Sequence, residues 1–421
     1  MKFLLFSQSG EGAQILKRIE LEGNEVGLYI KDKLYSSVFD GLLPKVEPDD
    51  FVDKDTVILF DMSGNGKIAD SFRRKGLLVF GASEYADKLE HDRQFGFDAM
   101  QEAGIKIPGY KEFQDFKTGL EYVRGSNKRL VFKPSGSMPC KLTYVSKDAN
   151  ELFAYMQFVE QQFGSHIKSF ILQDFIEGVV VSSEFFSNGK RFMWPPNHTV
   201  EVKKSMNDDL GPSTGCSGNI TWTCEESSKV IDAGVRLIES QCQAEQFTGN
   251  IDLNAVVNES GVYGLEWTPR FGYDATPTLL TLLTTDFGEF FHGLASGQLS
   301  EVSFNKKDAG GVRVTIPPYP AEPQEGTDPE KLSPSSGVPI QGYEENCDSL
   351  YFYEVKMDKD QLVHSQGTGV IALALGIGDT PEECLEKPYK ILEDLVVPDK
   401  QYRTDLSKVL SKMTKDVLEY A

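Results

Sequence analysis

The residues best suited to chemistry lie in three stretches of this 421-residue chain. LVFKPSGS, residues 130–137, is an apolar strand that ends in Lys133. An ammonium there is costly unless an anion shares the site; the competing reading is a strand-end lysine at the surface. Forty residues on, SFILQDFIEG gives a second apolar strand ending in Gln173, Asp174, Phe175 and Ile176. The two strands could close around a planar ring, whose edge the backbone of Gln173 to Ile176 would read. NIDLNAVVNESGVYGLEWTPRFG, residues 250–272, reads as a hairpin. Strand alternation puts Asp252 and Asn254 on one face, and likewise Glu266 and Thr268. If Asp252 and Glu266 pair across the hairpin, two carboxylates meet in an apolar setting and repel unless a cation lies between them. Hard oxygen ligands of this kind, completed by phosphate oxygens, suit Mg²⁺. Arg270 follows at once, able to grip a phosphoryl or carboxylate group in bidentate fashion. The alternative is a hairpin with solvent-facing acids, against which Leu265 and Trp267 argue. LGPSTGCSGN, residues 210–219, is a loop rich in backbone and hydroxyl donors, suited to an anion, with Glu201, Lys203 and Lys204 upstream. A flexible surface loop is the competing reading.

The elements that must position these residues are legible in outline. KFLLFSQ, EVGLYI, DTVILF and LLVFGAS read as strands, with AQILKRIELEG and IADSFRRKG as helices between them. That alternation implies a parallel sheet with glycine turns at its carboxyl edge. Residues 84–104 read as one helix. A long α+β stretch follows to about 305, and a proline-rich run, Pro317 to Pro339, precedes a last unit of strands (LYFYEVKM, GVIALALGIG) and helices (PEECLEKPYKILEDL, RTDLSKVLSKM). The economical division is 1–105, an N-terminal α/β domain; 106–305, a central domain with a small lid at about 115–190; and 306–421, a C-terminal α+β domain. A net charge of −21 disfavours nucleic acid as a partner. No apolar run reaches the roughly 20 residues needed to cross a bilayer. The first residues read as a strand and not as a signal peptide. The six cysteines form no C-x-x-C pair, so neither zinc nor a disulfide framework is expected, and a reducing, cytoplasmic setting fits.

In their order along the chain these stretches resemble the ATP-grasp enzymes, and within them the phosphoribosylamine–glycine ligase family, over nearly the whole length. The resemblance implies an α/β and α+β multidomain ATP-grasp fold with an N-terminal parallel-sheet domain and a C-terminal α+β domain. It implies ATP and Mg²⁺ (or Mn²⁺) and an acyl-phosphate mechanism. GLLVFGASEYADKLEHDRQFGFDAMQEAGIKIPGY puts Arg93 where the family usually has a phosphate-contacting Lys. Lys133 falls at the ATP lysine, QDFIEG (Gln173, Asp174, Phe175, Ile176) at the adenine hinge, and Lys141 in the lid. GPSTGCSG looks like the loop GPNTGGMG that helps bind the amino acid, which implicates Gly211, Pro212, Ser213, Thr214 and Gly215, with Lys203 nearby. LEWTPRFGYDATP looks like E-x-N-x-R-F-G-D-P-E, making Glu266 and Thr268 metal ligands and Arg270 a contact for substrate or phosphate. Asp252 matches an acidic metal position of other ATP-grasp enzymes.

The departures concern the amine. Where the family carries G-G-R-E-H at the first glycine turn, docking the ribose phosphate, this chain reads SGEGAQ, and Glu11 stands where a phosphate-binding Arg is expected. The lid A-A-G-K-G-V becomes SMPCKLTYV, which keeps Lys141 but loses the glycines. Thr268 replaces a metal-ligand Asn, and the ribose-contacting acid is replaced in GVVVSSE, leaving Glu184 to serve from further along. The expectation is a diverged carboxylate–amine ligase joining glycine or a similar amino acid to an altered amine, acting as a monomer or homodimer. The alternatives are a genuine phosphoribosylamine–glycine ligase and an inactive nucleotide-binding relative.

Overall fold

The computed structural model describes residues 1–135, 142–224, 226–321 and 335–420. Strands β1 (Lys2–Ser7), β2 (Glu25–Ile30), β3 (Thr56–Phe60) and β4 (Leu78–Phe80) form an all-parallel sheet in the order β2-β1-β3-β4. Their continuous apolar runs are buried on both faces, as parallel strands covered by helices must be. The chain leaves β1 toward one edge and returns through β3 toward the other. The carboxyl ends of β1 and β3 therefore flank the topological switch point, where open α/β sheets bind ligands.

The helix expected over 84–104 is two, Glu84–His91 and Arg93–Glu102. Asp92 leaves helical geometry (φ −98°, ψ 94°) and its carboxylate caps the second helix by accepting from the Phe95 amide. Arg93 is thereby presented from a helix start.

Strands β5 (Tyr110–Phe113), β6 (Leu130–Pro134), β7 (Tyr144–Val145) and β8 (Phe170–Asp174) make a small antiparallel sheet in the order β5-β8-β6-β7. It has its own core of Phe113, Phe116, Phe132, Leu152, Met156 and Phe170. Here one expectation is corrected. The Lys133 and Gln173 strands are hydrogen-bonded neighbours, Val131 opposite Gln173 and Lys133 opposite Ile171, so they form one wall and not two. Two apolar strands of matching length gain more by pairing their backbone groups than by facing each other across a ligand.

The opposite wall is an eight-stranded antiparallel sheet. It contains β9 (Val179–Asn188), β10 (Asn197–Lys204), β11 (Ser213–Thr223), β12 (Thr248–Asn258), β13 (Gly261–Thr268), β14 (Asp308–Thr315), β15 (Leu350–Phe352) and, after the hairpin β16 (Val355–Asp358) with β17 (Gln361–His364), β18 (Val370–Gly378). The order is β13-β12-β9-β10-β11-β14-β18-β15. LYFYEVKM, expected as one strand, thus divides between two sheets. The division falls at Glu354, whose carboxylate turns back to accept from the amides of Thr368, Gly369 and Val370. The helices Pro381–Asp394 and Leu406–Tyr420 cover the far end. Among the described residues no helix is long and apolar enough to cross a membrane.

Candidate active site

Lys133 closes β6 on a strand whose every residue is buried. Burial pushes its ammonium down to about 8, with Glu266 opposing and Arg93 and Lys203 reinforcing the shift. Arg93 reaches the same strand end and donates to the Pro134 carbonyl at 3.1 Å, while its Nε has no hydrogen-bond partner among the described residues. Gln173, on the neighbouring strand, is 1% exposed and its amide nitrogen is likewise unpartnered. Asp174 is engaged by Lys128 at 2.7 Å. Phe175, which has a backbone hydrogen bond to Arg129, carries that guanidinium over its ring at 3.6 Å from the centroid. This strand end therefore offers an apolar shelf beside the Gln173 side-chain nitrogen, which is free among the described residues, and Ile176 continues it toward β9.

Across the cleft stand the acids. The hairpin register differs from the pairing expected: Asp252 is opposite Thr268 and Asn254 is opposite Glu266, so Asp252 and Glu266 are diagonal neighbours on one face. A bulge after Asn254 fixes this register. On its other side Asp252 is opposite Glu184 of β9. Ser182 donates to Asp252 at 2.5 Å, and Asn254 bridges Asp252 and Thr268 at 3.3 and 3.0 Å. Burial first, and then the neighbouring carboxylate, push Glu184 up to about 8. Asp252 rises to about 7, chiefly from burial, against the hydrogen bond from Ser182. Glu266 behaves oppositely. Burial raises it, but Lys203, Lys133, Arg93 and Arg270 together hold it below the ordinary carboxylate range. Its side chain nonetheless keeps an exposed surface, so it looks into an open cleft between crowded walls.

These residues fit a divalent cation. Among the described residues Glu184 Oε1 is a buried oxygen with no hydrogen-bond partner, beside a second buried carboxylate, and Arg270 offsets the pair's charge only in part. Among the described residues no group of three or more His, Cys, Asp or Glu side chains could hold a metal alone. Mg²⁺ ordinarily takes one or two carboxylates and completes its shell with phosphate oxygens and water. Asp252 and Glu266, diagonal neighbours on one face with Glu184 adjoining, would supply carboxylates of that kind if a cation binds here. Glu184, expected near a ribose, lies opposite Asp252 on the neighbouring strand.

Arg270 is fixed from far along the chain. Its Nε and Nη2 both lie 3.2 Å from Glu90 Oε1, Nη1 donates to Phe271 O at 2.9 Å, and the guanidinium lies over the Tyr273 ring. Directly after it, Asp274 takes a buried bidentate pair with Arg313 of β14 (2.6 and 2.9 Å) and a hydrogen bond from Tyr353. No local signal in the sequence marks Glu90 or Arg313 as partners, because the contacts span 180 and 39 residues.

The glycine-rich stretch 210–219 is mostly strand, contrary to the loop expected. Ser213–Thr223 is β11, with Gly218 opposite both Val202 and Val312. Hydrogen bonding on both sides overrides the glycines, and Gly218 allows Leu406 to approach where a Cβ would sit 2.4 Å from it. The irregular part is confined to 205–212, containing Gly211 (φ +75°) and Pro212. Thr214 donates to Lys203 O at 2.9 Å, and Gly215 lies against the Tyr273 ring. Arg403, 1% exposed, clamps this turn by donating to Lys204 O and to Asp209 at 3.1 and 2.9 Å, and is itself held by Asp405. Sequence reasoning missed this anchor. Lys203 is exposed, with its ammonium 3.7 Å from Glu201. Lys141 lies outside the described residues.

At the switch point the turn after β1 carries Glu11, and β3 runs directly into Asp61. Asp61 Oδ2 accepts from Ser7 Oγ at 2.7 Å and the Gly12 amide at 2.8 Å. Burial lifts Glu11 to about 8, with Asp61 adding to the shift. A separate apolar cavity of about 540 Å³ lies behind helix Ala13–Leu21, walled by Ile15, Leu42, Leu280 and Phe352. None of the expected site residues borders it, and the charged cleft is the better site on chemical grounds.

Residues 91–276 match the family model for the phosphoribosylglycinamide synthetase ATP-grasp (A) domain. The chain is 27% identical over 353 residues to the phosphoribosylamine–glycine ligase of Clostridium acetobutylicum, covering 81% of each. It is 24% identical to that of Streptococcus pneumoniae, covering 80% of each. A crystal structure of phosphoribosylamine–glycine ligase from Thermotoga maritima superposes with a TM-score of 0.75 at 20% identity, covering 96% of this chain and all of that one. An L-amino acid ligase from Bacillus licheniformis superposes at 0.60 and 15% identity, covering 94% and 98%. The chain has the ATP-grasp fold, and its residues 91–276 are similar to the phosphoribosylglycinamide synthetase ATP-grasp (A) domain.

Proposed function

We propose that the chain is an ATP-dependent ligase that activates a small carboxylate as an acyl phosphate and couples it to an amine. The observation that carries the reading is the convergence of Lys133, Arg93, Lys203 and Arg270 on Glu266, beside the buried Asp252–Glu184 pair. Arg270 is held by Glu90 and Lys203 lies beside Glu201, but Lys133 and Arg93 at the end of β6 bring more positive charge to the cleft than Glu266 offsets, and a polyphosphate chain is an anion that would use it. In this reading the hinge of Gln173, Asp174, Phe175 and Ile176 holds the base. Lys133 and Arg93 hold the phosphates, and Asp252 and Glu266, with Thr268, hold Mg²⁺. Bound Mg²⁺ would neutralise charge on the phosphate oxygens as they leave.

A carboxylate oxygen of the first substrate, held at the turn of Gly211 to Gly215, attacks the γ-phosphorus. The bond to the ADP oxygen breaks and an acyl phosphate forms. Arg270, held rigid by Glu90, offsets the charge that develops on the transferred group. A neutral amine then attacks the acyl carbon: the C–N bond forms, the C–O bond to phosphate breaks, inorganic phosphate leaves with the electron pair, and the amine gives up a proton. Both substrates are small molecules, and the setting is the cytoplasm. The test is ADP release from Mg-ATP in the presence of glycine, with and without phosphoribosylamine generated in situ. ATP hydrolysis indifferent to every carboxylate and amine offered would refute the reading.

The name shared by the relatives favours a second reading, in which the amine is phosphoribosylamine itself. Turnover that requires phosphoribosylamine would establish it.

A further inference from the structure

The crevice between the carboxyl ends of β1 and β3 is where this sheet topology places a ligand, and its charge indicates the kind. Glu11 is walled in by surrounding groups yet retains open surface, and among the described residues its carboxylate has no hydrogen bond or ion pair. Asp61 is 2% exposed, and while its Oδ2 accepts two hydrogen bonds, its Oδ1 is buried with no hydrogen-bond partner among the described residues. The groups facing Glu11 from other elements do not supply the missing charge. Arg270 is committed to Glu90 and Arg313 to Asp274. Glu354 adds a third negative group, itself bonded to three amides and close to His364. Tyr35 and Tyr351 contribute only phenols, and the Tyr351 hydroxyl is already donated to the Glu11 carbonyl at 2.7 Å. Lys31, at the mouth, is exposed and donates to Asn65 at 2.9 Å. No ion pair joins it to Glu11 or Asp61 among the described residues.

Among the described residues a phosphate placed here would meet carboxylates and no uncommitted cation, and like charges brought together out of water are strongly unfavourable. An ammonium would instead complete Asp61 Oδ1 and neutralise Glu11. We propose that this crevice binds a cationic, unphosphorylated amine, with one ammonium held between Glu11 and Asp61 and a second amine left free to reach the acyl phosphate. This rests on the ligase reading above and specifies the class of its acceptor as a diamine or a similar amine carrying a second positive group.

Isothermal titration of the full chain with 1,4-diaminobutane and, separately, with ribose 5-phosphate tests the proposal without requiring catalysis. The expected result is saturable diamine binding at one site, weakened at least about tenfold by Glu11→Gln. Binding should be unchanged by Glu301→Gln, a control for attraction to the acidic surface. Ribose 5-phosphate should show no saturable binding. Three results overturn the proposal: no saturable diamine binding, diamine binding indifferent to Glu11→Gln, or ribose 5-phosphate bound by the parent protein more tightly than the diamine. The ribose 5-phosphate comparison uses only the parent protein, so it decides even if Glu11→Gln unfolds. Failure of the ligase reading is scored separately, by trapping the acyl phosphate with no acceptor present.

Discussion

The pair Arg313–Asp274 joins the C-terminal part of the large sheet to the segment that carries Glu266 and Arg270, and replacing Arg313 with Met is a sharp perturbation of it. Asp274 is fully buried and Arg313 is 6% exposed. The guanidinium reaches both carboxylate oxygens, at 2.6 and 2.9 Å for its two closest contacts. Met fills most of the volume but leaves Asp274 with the Tyr353 hydroxyl at 2.7 Å as its one remaining side-chain donor. Removing one partner of a buried pair strands the other charge, at about 3–5 kcal/mol. Replacing both partners with apolar residues removes the stranded charge, so Arg313→Met with Asp274→Leu should recover most of that loss. The coupling between the two positions should then be about 3 kcal/mol, far above the ~0.5 kcal/mol expected of independent sites. Urea unfolding followed by tryptophan fluorescence, with buried Trp267 as a reporter on the affected strand, measures all three variants. A loss below about 1 kcal/mol for Arg313→Met, or a double variant as unstable as the sum of its parts, would refute the reasoning.

Glu266→Ala should leave the melting temperature near the parent value, because the side chain faces the cleft, while lowering ATP-dependent turnover by about two orders of magnitude or more; turnover at the parent rate would remove its metal role. Lys133 has its pKa lowered by burial to about 8 in the free protein. Bound phosphates favour the charged form, so Mg-ATP affinity should fall as pH rises from 8 to 10, with a proton taken up on binding, and Lys133→Met should abolish that dependence in titrations. Arg403→Met should loosen the 205–212 turn, raising KM for the carboxylate by about tenfold or more with a smaller effect on kcat; equal losses in both would point to a general structural role instead.

Much of the fold follows from periodicity that is local in the chain. The first three strands and their intervening helices are set by apolar runs and glycine stops, such as Gly23 (φ +86°) and Gly76 (φ +80°), that act within a few residues. Errors arise where a distant contact decides. The 84–104 helix is the exception, broken by a local contact in which Asp92 accepts from the Phe95 amide and caps a new helix. The 213–218 stretch, glycine-rich and loop-like in isolation, becomes strand because β10 and β14 satisfy its backbone from both sides. LYFYEVKM divides because Glu354 is drawn to amides of 368–370. The site shows the same pattern. Lys133, Asp252, Glu266 and Arg270 announce themselves as charges embedded in apolar strands, whereas their supports Glu90, Arg313 and Arg403 read as ordinary surface residues until the chain folds. The diagonal placement of Asp252 and Glu266 rests on one bulge after Asn254, which alternation does not encode.

The central claim, activation of a carboxylate by phosphoryl transfer from ATP, is tested most directly by trapping the intermediate. The protein would be incubated with Mg-ATP, a small carboxylate such as glycine, and hydroxylamine, without any other acceptor, and hydroxamate and ADP would be measured together. The account predicts hydroxamate and ADP in equal amounts, both lost in Glu266→Ala. ADP formed without hydroxamate from any carboxylate offered, or hydroxamate formation that survives loss of Glu266, would contradict it.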